Sequence, residues 1–503
     1  MVKKVVIISL AILLVVSIAA GLWVRSVFAH DGVRTALAEQ LSSALGQPVS
    51  IGSISAGIYP RVTVRLTKVA IGEPVRIQAG TLRLGTNLRA LLSRQIVHGT
   101  VYLDDAKVQL PLPPFRTSSS TTSSGSPVQI VSIDDIVLKS VEIVSGGRTL
   151  RGDVEVAPHG DGATLRRISL SADDTTLEGS GEISNLAGPV GEIAMKARRL
   201  NLTKLLDFLT AFSSGSGMTG RTASAPPSSR QASTNLTMSL VADRATMGEL
   251  ALEKLNARAR ITPAAVTLDP IAFGVFGGDY RGTMALTSSG AAPTLRLNAA
   301  VSNVDVASAM AFAGNPGTVS GRLSGRIDLA TQTAASNVID AARGTVRVEV
   351  RDGVVKNLGL VRTVVIATSM RSDAPSPLKA AGSTDEPFTM LAGTFALANG
   401  SAHTNDLQFQ SPDLLLRAGG SLRLDGSQID LKGDVQLSDA LSQQAGRDLF
   451  RYTQEQGRVT LPATITGPAR SPSVRVDVAG VATRAVQNKA KDELKKALGR
   501  IIK

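Results

Sequence analysis

The chain has 503 residues, with 54 Lys+Arg against 41 Asp+Glu for a formal net charge of +13, no cysteine and only 3% aromatic residues. Without cysteine it can hold no disulfide, thiol nucleophile, thiolate zinc site or iron–sulfur cluster. The basic balance implies an acidic partner, whether nucleic acid, anionic lipid or polyanionic glycan, and the length suits about three ordinary domains or one long repetitive body.

Residues 1–4 form a short basic tip, and 5–24 read VVIISLAILLVVSIAAGLWV, an uncharged stretch long enough to cross a bilayer core of about 30 Å. Lys3 and Lys4 precede it and Trp23 ends it, so the positive-inside rule keeps the tip in the cytoplasm and exports everything after Arg25. A cleaved signal peptide is the competing reading, because Val27-Phe28-Ala29 offers small residues near a cleavage point; its apolar region would be unusually long. Both readings export the body, which removes nucleic acid from the partner list.

Residues 31–45 space Val33, Leu37, Leu41 and Leu45 at intervals of four and predict a short amphipathic helix stopped by Gly46 and Pro48. From there the pattern changes to period two. Val49-Ser50-Ile51, Arg61 to Leu66, Thr81 to Leu84 and Thr100 to Leu103 alternate apolar with polar, as do Val346 to Val350, Ser421 to Leu424, Ile429 to Leu431 and Val474 to Val478. The organisation is read as β regions at 25–116, 128–212, 234–370 and 388–480, separated by mobile loops at 117–127, 213–233 and 371–387 whose Ser-, Gly- and Pro-rich composition supports no core. A weak repeat pairs Arg199-Leu200-Asn201-Leu202 and an apolar helix over 205–212 with Asn303-Val304-Asp305-Val306 and a helix over 307–312. The last segment, 481–503, places Lys489, Lys491, Lys495, Lys496 and Arg500 beside Leu494, Leu498, Ile501 and Ile502. It predicts a basic amphipathic helix that either caps the sheet or meets an anionic membrane surface.

Catalytic chemistry finds little support. His30, His98, His159 and His403 lack metal-site spacing. The carboxylate pairs Asp104-Asp105, Asp134-Asp135 and Asp173-Asp174 read as solvated strand ends and turns. No Gly-Lys-Ser/Thr sequence exists for a P-loop. No enzyme activity, cofactor, metal, nucleic acid or small-molecule substrate is therefore expected. What stands out is a long amphipathic sheet with few helices to cover its apolar side.

The run Leu37-Ala38-Glu39-Gln40-Leu41, Leu45-Gly46-Gln47-Pro48-Val49-Ser50-Ile51-Gly52 and Tyr59-Pro60-Arg61-Val62 after a spanning helix resembles the opening of the AsmA family of envelope proteins, as does Leu88 to Arg94. Gly393-Thr394-Phe395, Asn399-Gly400, Ala418 to Gly426 and Leu461 to Gly467 resemble its C-terminal region. The resemblance covers about the first 110 and the last 150 residues. It implies a single-pass anchor in the inner membrane of a Gram-negative bacterium and a mainly β periplasmic body with short helices. That body would be an elongated, curved antiparallel sheet forming a groove akin to those of bridge-like lipid transfer proteins. Strand parity then nominates Val62, Val64, Leu66, Val346, Val348, Val350, Leu422 and Leu424 as groove residues, with Arg and Lys on the other face and rim for phosphate headgroups. The expected partners are membrane lipids, above all phospholipid. The alternative is a scaffold or regulator of outer-membrane protein assembly or of protein targeting to the membrane, binding envelope proteins by strand addition.

Overall fold

Strands form because apolar and polar side chains alternate over ten to thirteen residues between glycine-rich turns, a period that fits a pleated sheet and no helix. The computed structural model describes residues 34–35, 37–39, 41–42, 47–57, 62–86, 95–96, 98–110, 129–130, 132–145, 148–172, 175–185, 188–205, 207, 234–287, 293–332, 338–369, 384–445, 450–451 and 453–476. The spanning segment 5–24, the loops 117–127 and 213–233, and the basic segment 481–503 with Lys489, Lys491, Lys495, Lys496 and Arg500 lie outside these residues. Among the described residues no helix is long and apolar enough to cross a membrane. The protein is mainly β with a few short helices, and it divides into two units, Met1–Pro263 and Ala264–Lys503.

The first unit contains β1 (Val49–Gly57), β2 (Val62–Ile71), β3 (Ile77–Thr86), β4 (Gln95–Ile96), β5 (Gly99–Gln109), β6 (Gln129–Ile130), β7 (Ile133–Ser145), β8 (Arg148–His159), β9 (Gly162–Ala172), β10 (Thr175–Asn185), β11 (Val190–Asn201), β12 (Asn235–Met247) and β13 (Leu250–Ile261). Successive long strands pair antiparallel, except that β5 joins β7 and β11 joins β12 in parallel. A parallel step needs a crossover of a dozen or more residues, and both occur where the sequence interposes a Ser-rich stretch. Ile51, Ile54, Leu66, Val69 and Ala106 form the core, and Leu37, Ala38 and Leu41 of the N-terminal helical segment pack on it.

Simple alternation fails along one transverse row. Gly52, Lys68, Gly80, Asp105 and Ser140 stand abreast on β1, β2, β3, β5 and β7, and Lys68, Asp105 and Ser140 take positive φ of 51, 57 and 52°. Glycines flank Lys68 on both sides and Asp105 on one for a steric reason: a Cβ on Gly52 would lie 2.8 Å from the Lys68 Cβ, and one on Gly80 3.0 Å from the Asp105 Cβ. The left-handed Lys68 turns β2 over by one position, so Leu66 and Val69 face the same core at a spacing of three, and Ile51 and Ile54 on β1 face it at the same spacing. Asp153 Oδ1 accepts from the Ser140 N–H at 2.8 Å and satisfies the donor that the turn removes from the ladder.

The second unit is an antiparallel meander of β14 (Ala265–Val275), β15 (Gly278–Thr287), β16 (Thr294–Asp305), β17 (Arg322–Gln332), β18 (Arg343–Val355), β19 (Glu386–Ala398), β20 (Ser401–Gln410), β21 (Leu414–Arg423), β22 (Ile429–Leu437), β24 (Arg458–Gly467) and β25 (Ser473–Val476), with the short β23 (Gln454–Glu455) beside β24. Short helices interrupt it, among them α1 (Val306–Phe312), α2 (Val338–Ala341), α3 (Leu360–Ser369) and α4 (Asp439–Gln444). Helix α1 starts where Asp305 Oδ1 accepts from the Ser308 N–H at 2.7 Å, and α4 where Ser438 Oγ accepts from the Leu441 N–H at 3.3 Å. Leu360 and Val364, one turn apart on α3, pack against Phe388, Phe409, Leu416, Val435 and Val459.

Three expectations change. The stretch 371–387 does not extend as a loop to its end, because β19 begins at Glu386 and that side chain is buried. Ser421 to Leu424 is not all strand: β21 stops at Arg423, and Leu424 lies in the turn, its N–H donating to the Gly400 carbonyl. Asp104-Asp105 sits inside β5 rather than at its end, with Asp105 making the left-handed turn described above.

Candidate functional site

The residues that matter lie on β14–β19, where the strand ladder stacks apolar side chains into transverse rows. Directly opposed partners share a face of the sheet, so the registers read as rows: Leu268–Met284–Leu297–Leu329, and Val266–Leu286–Leu295. Ala299–Ile327–Val346–Phe395 continues the same face across β16–β19, and Val348 stands between Gly325 and Gly393. Apart from the buried Ala299 these side chains are partly exposed, and Val266 and Leu286 reach 38% and 37%. An aliphatic face left this wet holds free energy that an apolar ligand could recover. Phe273 stacks on Tyr280 with ring centroids 4.4 Å apart, and burial there pushes the Tyr280 phenol above its ordinary pKa.

The face closes toward the other end of β18. Val350 is buried with Phe388 and Phe409, whose rings meet at 5.5 Å, beneath α3. One strand therefore passes from open surface at Val346 and Val348 into packed core at Val350. The first unit has an open patch of the same kind, with Ile193 opposite Met238 and Met195 opposite Leu240, all half-exposed.

The nominated residues thus distribute unevenly. Val346 and Val348 belong to the open face and Val350 to the core beside it. Leu66 is buried and Val64 half-buried in the core of the first unit, facing the N-terminal helical segment; Val62 heads the same strand, and its side chain lies outside the described residues. Leu422 is half-buried opposite Ala402 and Ile429, and Leu424 is in the turn. Reasoning from single alternating runs missed Leu268, Met284, Leu286, Leu295, Leu297, Leu329 and Phe395. Thr294-Leu295-Arg296-Leu297-Asn298 carries the period-two signal that could have found part of the set.

Polar groups scattered in the sequence also meet, on exposed surface. His98 Nδ1 lies 3.0 Å from Asp134 Oδ2, and Arg166 pairs with Asp135. Both pairs are solvated, and exposed pairs of this kind contribute little.

The AsmA family model matches residues 218–407. The match supports AsmA family membership. The AsmA segment encloses β14–β19 and with them the open apolar face. It falls on the middle of the chain and reaches the C-terminal resemblance only through Gly393-Thr394-Phe395 and Asn399-Gly400. Comparison with curated proteins and with solved structures gave no match.

Proposed function

We propose that this chain is a non-enzymatic envelope protein that carries phospholipid acyl chains on the open apolar face of β14–β19, with an inner-membrane anchor and a periplasmic body. AsmA family membership suggests a bacterial envelope protein, and the finer reading rests on one observation: transverse rows of partly exposed Leu, Met, Ile, Val and Phe. Each CH₂ withdrawn from water is worth about 0.8 kcal/mol, so a face that replaces the bilayer's apolar contacts offsets most of the cost of extracting a lipid. Transfer along such a face is close to neutral and needs no energy source in the chain itself.

The test separates neighbours on one strand. Val348 faces the apolar rows and Arg347 the opposite side. The full-length chain, gently extracted in detergent, is analysed for bound lipid by native mass spectrometry. Val348→Asp should lose lipid while keeping its fold, and Arg347→Asp should keep both. Equal lipid in parent and folded Val348→Asp, or a stoichiometric protein partner in place of lipid, would overturn the reading.

A further inference from the structure

The face of β15–β19 opposite the apolar rows is arginine-rich, and it is not flat. A hollow of about 550 Å³, within the range of small-ligand sites, is bounded by two more transverse rows. One is Arg281–Ala300–Arg326–Arg347–Thr394, each residue directly opposite the next; the other is Thr283–Asn298–Asp328–Thr345. Ala300 is the small residue at the floor. With strands about 4.8 Å apart, Arg281 and Arg326 rise roughly 10 Å from each other on either side of it.

From this geometry we infer that Arg281, Arg326 and Arg347 form a binding site for a phosphate monoester or diphosphate, separate from the acyl-chain face. Like charges directly opposed on adjacent strands destabilise a sheet, and Arg326 faces Arg347 across one ladder step. Among the described residues no carboxylate forms an ion pair with any of the three arginines, and Asp328 is the one acid in the hollow's lining. Three guanidiniums against one carboxylate leave net positive charge that an anion would neutralise. Arg347 is oriented: its Nε donates to Thr394 Oγ1 at 3.3 Å, and the Thr394 N–H in turn donates to Asp406 Oδ1 at 2.7 Å. A guanidinium held through Nε keeps its terminal nitrogens for a phosphate, which it matches in a bidentate fork. Thr283, Asn298 and Thr345 supply neutral donors and acceptors around the ester. The sheet itself stands between this hollow and Val346, so a ligand here is not the headgroup of a chain lying on the apolar face.

Pyrophosphate titrated into the full-length chain in neutral detergent, followed by calorimetry, tests the site. The parent should bind saturably at one site and release the ligand at high salt. The double variant Arg326→Gln/Arg347→Gln should weaken binding by at least about tenfold, the loss expected for charge-assisted hydrogen bonds. Asp328→Asn should tighten it, because the one competing negative charge is gone. Without ligand, Arg326→Gln should melt no lower than the parent, since it relieves a facing pair of like charges; this keeps the test independent of misfolding. Val348→Asp, which probes the acyl face, should leave pyrophosphate binding unchanged. If pyrophosphate fails but vesicles containing phosphatidic acid, a phosphate monoester, bind and the double variant loses them, the phosphate belongs to a lipid headgroup and the site stands. Pyrophosphate or vesicle binding indifferent to the arginine and Asp328 substitutions, or no binding of either, overturns it.

Discussion

Val346→Asp and Val435→Asp form a matched pair that decides whether the apolar rows are open. Both are valines inside strands of the same unit; Val435 is 0% exposed, whereas Val346 is partly exposed beside Ile327 and Phe395. Full burial of a valine is worth about 1.5–3 kcal/mol, so the partly exposed Val346 loses roughly 1–2 kcal/mol, and its new carboxylate reaches water. For a unit of about 240 residues that lowers Tm by roughly 2–8 °C. Val435→Asp forfeits the whole transfer term and leaves a carboxylate without a partner, several kcal/mol more. The sum is comparable to the total stability of about 5–15 kcal/mol, and that variant should not fold. Calorimetric melts measure the first quantity, and extracted lipid per protein the second. A Val346→Asp protein that melts as far below the parent as Val435→Asp would mean that the rows are ordinary sealed core.

Two carboxylates give pH dependences of opposite sign. Glu386 is buried and accepts from the Val361 N–H at 3.0 Å in the first turn of α3, and burial raises its pKa above the ordinary carboxylate value, the Val361 bond opposing. Its contribution is therefore full below the unfolded value of about 4.3 and is lost as pH rises through the folded one. Glu386→Gln should flatten that decline in Tm measured from acid to neutral pH, and a steeper decline in the variant would sink the assignment. Asp305, capping α1, is held below its ordinary value by the Ser308 N–H. Its contribution is present above about pH 3.9 and lost as pH falls through the lowered value. Asp305→Ala should cost about 1 kcal/mol at neutral pH. The gap between parent and variant melts should then close on acidification.

Local pattern by itself determined that the body is sheet, where most strands run and where α1 follows Asn303-Val304-Asp305-Val306, because side-chain period and turn residues act within a few positions. It also placed Val346 and Val348 on one face and Arg347 on the other, which follows from the pleat alone. Tertiary structure decided everything that depends on what stands opposite. The positive φ at Lys68 reverses parity, and the glycines that make room for it, Gly52 and Gly80, lie on other strands. Val348 and Val350 are equivalent in any alternating pattern, yet only Val350 is packed with the Phe388 and Phe409 core under α3. Glu386 belongs by composition to a loop and by packing to the start of α3. Arg281, Arg326 and Arg347 lie tens of residues apart in the chain, and only the strand register sets them in one row around Ala300. Side-chain direction is a property of the single strand; burial and juxtaposition belong to its neighbours, which the meander brings together from positions that no local window contains.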